Sequence, residues 1–144
     1  MKKEIQELVQ FAISSKNSEN KKVQISIVDE QESNIIKLKT GLSLIGFVRV
    51  VDKFAINHTI KKHGDAVQEK LRGQIAITNE DFELIPKINK SKNIIHLSKN
   101  KFGNDVLLYE AVIKDTFYYV EEVRTGKKEL CMTTMYKRKP TIIK

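Results

Sequence analysis

The run Asn57-His58-Thr59-Ile60-Lys61-Lys62-His63-Gly64 places two of the chain's three histidines and two lysines within eight positions. Imidazole exchanges protons near neutral pH, and ammonium and guanidinium groups hold phosphate oxygens. Breaking an RNA phosphodiester without a metal needs a base for the 2′-hydroxyl and an acid for the leaving 5′-oxygen. It also needs donors for the charge that builds on phosphorus. The run carries several of these groups. A metal site fits less well. Two helical histidine ligands want a separation of three or four residues, whereas His58 and His63 are five apart. His96 and Cys131, the remaining soft ligands, lie in distant segments. No metal and no cofactor is therefore expected. The plain alternative is a solvated basic helix face, with His63 near a helix end favoured by the dipole.

On a helix at 100° per residue, Ile56, Thr59, Ile60 and His63 fall on one side and His58, Lys61 and Lys62 on the other. His58 is thus expected on the polar face. His63 shares the apolar face and stays ambiguous. A second candidate set lies near the C-terminus: Arg124 before a turn, and Thr133, Thr134 and Tyr136 on the returning strand. Period-2 alternation puts Thr134 and Tyr136 on one face and Thr133 and Met135 on the other. Hydroxyls and a guanidinium on a sheet face can hold a scissile phosphate, although Thr and Tyr are also ordinary strand residues. Which face Arg124 takes depends on the turn register, which the sequence leaves open. The tyrosines and Phe117 can stack bases or fill a core.

Several elements must position these groups. "EIQELVQFAI" has helical spacing, and a polar linker follows it. "VQISIV" and "FVRVV" read as strands, and residues 32–41, "ESNIIKLKTG", suit a helix or a strand equally. Residues 54–63 form a short helix stopped by Gly64. Thr78 caps a further helix, with Asp81 three residues on, and Pro86 shortens or kinks it. "NIIHL", "DVLLYEAVI", "FYYVEEV" and "ELCMTTMY" follow as strands. "KDT" is a tight turn, and "RTGK" is a hairpin turn in which Gly126 supplies a positive φ. Helices first and an antiparallel meander over 105–138 last is an α+β pattern. The expected organisation is one domain over 1–144, with the N-terminal helix, 1–15, as an accessory.

The chain has 144 residues and a net charge of +8, from 26 Lys and Arg against 18 Asp and Glu. Such an excess favours polyanionic partners, and the acid-free lysines 87, 90, 92, 99 and 101 extend it. The lone cysteine, Cys131, excludes an intrachain disulfide and reads as a small buried hydrophobe. The N-terminus lacks the pattern of a signal peptide, and no stretch is apolar enough to span a membrane. The expectation is a cytoplasmic protein, or one delivered without a cleavable signal, that engages no membrane.

"FVRVVDKFAINHTIKKHGD", "RGQIAITNEDFELIPKI", "LLYEAVI" and "FYYVEEVRTGKKELCMTTMYKRK", in that order over about residues 40–139, resemble the phage-associated nuclease domains of the barnase–EndoU–colicin–RelE-like group. Such domains occur in MuF-like phage head proteins and in polymorphic toxins. The resemblance implies N-terminal helices packed on an antiparallel sheet, with a metal-independent ribonuclease site in the sheet's concavity. It matches the family's histidine segment to His58, Lys61, Lys62, His63 and Gly64. Glu122 and Arg124 match a second segment, and Thr133 or Thr134 with Tyr136 match the last strand. The expected catalytic set is thus His58, His63, Arg124, Thr133, Thr134 and Tyr136. The expected substrate-binding set is Lys61, Lys62, Lys127 and Lys137. The implied partners are RNA and, for a toxin, an immunity protein. The competing expectation is a non-catalytic nucleic-acid-binding or phage-structural module on the same basic surface.

Overall fold

The computed structural model describes residues 1–14 and 19–140. Helix α1, Lys2–Ser14, buries Ile5, Leu8, Val9 and Ala12, as its spacing requires. Of the polar linker expected after it, residues 15–18 lie outside the described residues. Strand β1, Lys22–Ile27, leads to α2, Glu30–Thr40, so the undecided segment 32–41 is helical. The deciding residue lies upstream of that segment: Asp29 caps the helix by accepting from the Glu32 amide at 2.8 Å. Gly41 closes it in the left-handed region at φ +79°, where a glycine has no Cβ to clash.

Strand β2, Val48–Asp52, runs directly into α3, Lys53–His63, and the side chain of Asp52 caps that helix. A Cβ on Gly64 would meet the Ile60 carbonyl oxygen at 2.4 Å, so the lack of a side chain is what fits the chain exit there. Helix α4, Ala66–Leu71, is followed by a 3-10 helix over Asn79–Leu84. Of the predicted Thr78–Asp81 capping box, the Asp81 carboxylate accepts from the Thr78 amide at 2.8 Å, while the Asp81 amide donates to the Thr78 carbonyl. Pro86 lies in the first turn of the short α5, Ile85–Ile88, where its missing N–H costs nothing.

Strands β4 (Val106–Ile113), β5 (Asp115–Arg124) and β6 (Glu129–Arg138) form the antiparallel meander expected over 105–138, and β3 (Asn93–Leu97) pairs antiparallel with β4 beside it. The whole sheet runs β1-β2-β6-β5-β4-β3. Strand β2 enters it parallel to β6, from Val48↔Glu129 to Val50↔Cys131, so the architecture is α+β with a mostly antiparallel sheet.

Two local expectations need correction. The positive φ of the β5–β6 turn belongs to Lys128 (+51°), not to Gly126. Residues 125–128 make a four-residue connection between the paired Arg124 and Glu129. The reversal is completed at its last residue, where the Lys128 amide donates to the Thr125 carbonyl. The alternation along β6 also breaks. Val120 faces Thr134 and Glu121 faces Met132, so Thr133 is an extra, unpaired residue. This bulge separates Thr133, which is exposed, from Met135, which is fully buried.

The sheet has unequal sides. Leu107, Tyr109, Phe117, Tyr119, Glu121 and Val123 are buried on one side. Their alternates Leu108, Glu110, Tyr118 and Val120 are only half-buried, and Val112 is exposed. Helix α3 packs against β6 and α1, and one core cluster connects α1 residues with those of β6. Arg49 is buried in this core. It donates to Glu32 and, at 3.4 Å, to Ser26, and its guanidinium carbon lies 5.9 Å from the Tyr109 ring centroid.

Candidate active site

Where α3 leaves β2 and passes β6, a groove of about 330 Å³ opens. Asp52, Ala55 and His58 line it from the helix side. Glu122, Arg124, Cys131 and Thr133 line it from the sheet, and Asn100 and Phe102 from the β3–β4 loop. Each is delivered by local structure. His58 is exposed, one helical turn from Lys61 and Lys62, on the polar face that helical spacing predicts. Glu122 and Arg124 are two apart on β5 and so share a side. Thr133 enters the groove because the bulge gives β6 one extra residue there.

Hydrogen bonds organise the sheet side. Glu122 accepts from Arg124 Nε at 2.6 Å, from Asn104 at 3.2 Å and from Asn100. Burial opposes ionisation of Glu122, but these donors outweigh it and hold the carboxyl below its ordinary range. The bond to Glu122 in turn raises the pKa of the Arg124 guanidinium, which keeps its charge throughout. Asn100 is a loop organiser too: its side chain accepts from the Phe102 and Asn104 amides at 3.0 and 3.1 Å. Partial desolvation of the otherwise exposed ring, with Lys62, His63 and Lys61 adding repulsion, pushes the His58 imidazole below its ordinary 6.5. This shift favours the neutral imidazole, which borders the groove that Arg124 lines. Burial pushes the Cys131 thiol up to about 11, so it stays protonated.

Of the sequence-derived candidates, the structure brings His58, Arg124 and Thr133 together with Glu122. The others lie elsewhere. His63 is buried, Nδ1 3.1 Å from Glu69, with its ring 5.4 Å from that of Tyr136. This follows from its place on the apolar side of α3. Thr134 faces Thr59 at 3.5 Å. Tyr136 stacks on Tyr118, away from the groove. Lys137 is buried against Asp81 at 2.8 Å, so its charge is held inside the protein. Lys61, Lys62 and Lys127 are exposed.

Sequence reasoning passed over Asp52, Asn100, Asn104 and two phenylalanines. Phe54 is 55% exposed and Phe102 73% exposed, and both line the groove. A phenylalanine inside the polar loop "NKFGN" was the available signal. Among the described residues, no three His, Cys, Asp or Glu side chains gather in a manner suited to a metal ion. No helix among them is long and apolar enough to cross a membrane.

Residues 26–144 match the model of the phage-Barnase-EndoU-ColicinE5/D-RelE like nuclease3 family, PBECR3. That is most of the chain, and the protein belongs to this nuclease family. The match starts earlier than the sequence resemblance, taking in the end of β1 and all of α2. No curated protein and no solved structure matches the chain.

Proposed function

We propose that the protein is a metal-independent endoribonuclease, with His58 as its proton-transfer residue and Arg124 as its phosphate holder. The observation that carries this reading is the meeting, in one groove, of His58 and a Glu122-anchored Arg124. In the reaction, His58 takes the proton of a ribose 2′-hydroxyl, and that oxygen attacks the adjacent phosphorus. The P–O5′ bond breaks, water protonates the leaving 5′-oxygen, and the other product ends in a 2′,3′-cyclic phosphate. Arg124 stabilises the extra negative charge on the phosphoryl oxygens, where a preorganised donor acts most strongly. The Thr133 hydroxyl orients the phosphate, and Lys61 and Lys62 attract the strand. Glu122 is committed to three donors and has a lowered pKa, which makes it an orienting group for Arg124 rather than a base.

The whole chain is read as one nuclease domain. Helix α1 precedes the family match yet shares the core, so it is a structural part of that domain. A toxin setting, with an immunity protein as antagonist, rests on the family likeness. Induced expression in a bacterial host should arrest growth with the native sequence and not with His58→Ala.

The test of the chemistry is cleavage of a short single-stranded oligonucleotide in excess chelator. All-ribo substrate should give a 2′,3′-cyclic phosphate, and one 2′-deoxy substitution at the scissile position should abolish the cut. Cleavage of all-deoxy substrate, or a strict need for added divalent metal, would overturn the reading. Tight RNA binding with no cleavage would replace it with the binding-module reading.

A further inference from the structure

Beyond the groove, on the same side of the sheet, Tyr118 and Tyr136 lie parallel on neighbouring strands. Their centroids are 4.9 Å apart and their planes 13° from parallel. The two core tyrosines, Tyr109 and Tyr119, are fully buried, whereas this pair is only half-buried. The Arg138 guanidinium lies 5.5 Å from one ring and 5.8 Å from the other. His63, held by Glu69, packs against Tyr136.

A cavity of about 320 Å³ shares Arg138 with this stack and is otherwise lined by Lys70, Gly73, Gln74, Ile75 and Lys139. Lys70, Arg138 and Lys139 are exposed, and among the described residues none of the three has a carboxylate partner. An aromatic platform beside an unneutralised cationic cavity, with Arg138 common to both, matches the two halves of a nucleotide. Aromatic rings take the face of a base whatever its identity, and the cations take its phosphate.

We propose that Tyr118, Tyr136, Arg138, Lys70 and Lys139 form a second nucleotide subsite, which holds a base and phosphate of single-stranded RNA remote from the cleaved bond. This rests on the ribonuclease reading of the groove. Thr133 and Arg138 are five residues apart on β6, which is about 17 Å of extended strand. The nearer ring, Tyr136, is three residues from Thr133, about 10 Å, so a dinucleotide seated in the groove does not span to Arg138, whereas a longer strand reaches the rings and the cations together. Duplex RNA keeps its base faces stacked internally and cannot offer one to the tyrosines. The subsite therefore selects unpaired RNA several nucleotides long.

The experiment compares kcat and KM on a dinucleotide and on an unstructured octanucleotide, with binding followed separately through a 2-aminopurine-labelled octanucleotide. The native sequence should prefer the octanucleotide, chiefly through a lower KM, and should quench the fluorophore by stacking. Tyr118→Ala should reduce octanucleotide kcat/KM and affinity about 5- to 150-fold, as loss of one stacking ring typically does. Arg138→Gln with Lys139→Gln, which leaves both rings in place, should raise the octanucleotide KM and flatten its salt dependence. Equal use of the two substrates by the native sequence overturns the subsite, as does full octanucleotide preference in both variants. If the native sequence cleaves neither substrate, the ribonuclease reading fails. The subsite is then decided by binding alone: unchanged affinity in Tyr118→Ala and in the double variant overturns it.

Discussion

Arg124 Nε donates to the Glu122 carboxylate at 2.6 Å along one side of β5, and both face the groove that His58 borders. The guanidinium is thereby fixed before any substrate arrives. A hydrogen bond to a charged group is worth about 1.5–3 kcal/mol, and Glu122→Gln keeps the shape while removing the charge. Steady-state kinetics should show a roughly 10- to 150-fold fall in kcat, the same energy expressed as rate. Arg124→Ala should lower kcat and also raise KM, since it loses the phosphate contact. Arg124→Lys should recover part of the KM and little of the kcat, because an ammonium lacks the planar fork.

The pH profile should report His58. Its pKa is depressed by partial desolvation first and by Lys62, His63 and Lys61 next. A general base works only when deprotonated, so activity should be lost as pH falls through this lowered value. The acid limb of log kcat/KM is expected below 6.5, the ordinary value. Lys62→Gln removes one repelling charge and should move the limb upward. A limb above 6.5, or one absent in the native sequence, would contradict the assignment.

Salt should weaken RNA binding steeply. For single strands the log–log slope changes by about 0.7 per phosphate contact. Lys61→Gln and Lys62→Gln should each reduce the slope by about that amount, measured by titration at several ionic strengths. Lys137→Gln should leave the slope unchanged, because its ammonium is buried against Asp81.

Stability should depend on Arg49. Its guanidinium is buried and donates to Glu32, and its charge opposes the burial that raises the pKa of the fully buried Glu121. Breaking such a cluster strands a buried charge and costs about 3–5 kcal/mol. Arg49→Leu should show a loss of that order in denaturant unfolding. Arg49→Leu with Glu121→Leu should recover part of it, because the fully buried carboxylate is removed with its cation and only Glu32 is left without its partner.

Much of the fold was legible because periodicity is a local signal. The helix over 54–63 and the three strands of the meander follow directly from it, as does the exposed position of His58. Residues 32–41 were undecidable because their cap, Asp29, lies outside the repeating segment. The alternation at Thr133 failed because a bulge depends on the pairing partner, and Val120↔Thr134 next to Glu121↔Met132 is a two-strand property. The site was legible in part for the same reason. Residue type and helical face pick out His58, and strand position picks out Arg124. The loop that brings Asn100 and Phe102 to Glu122 is a tertiary fact with only an out-of-place phenylalanine to announce it. Lys137 and His63 carry chemically suitable side chains, yet the partners that bury them, Asp81 and Glu69, come from other elements.

The most direct measurement of the central claim is single-turnover cleavage of a single-stranded oligoribonucleotide in excess chelator by the native sequence and by His58→Ala. Removal of a general acid or base typically costs about 10²- to 10⁴-fold in rate. The native sequence should produce a 2′,3′-cyclic phosphate. His58→Ala should cleave slower by that order, with RNA affinity and the unfolding transition nearly unchanged. Cleavage by His58→Ala at the native rate would contradict the account.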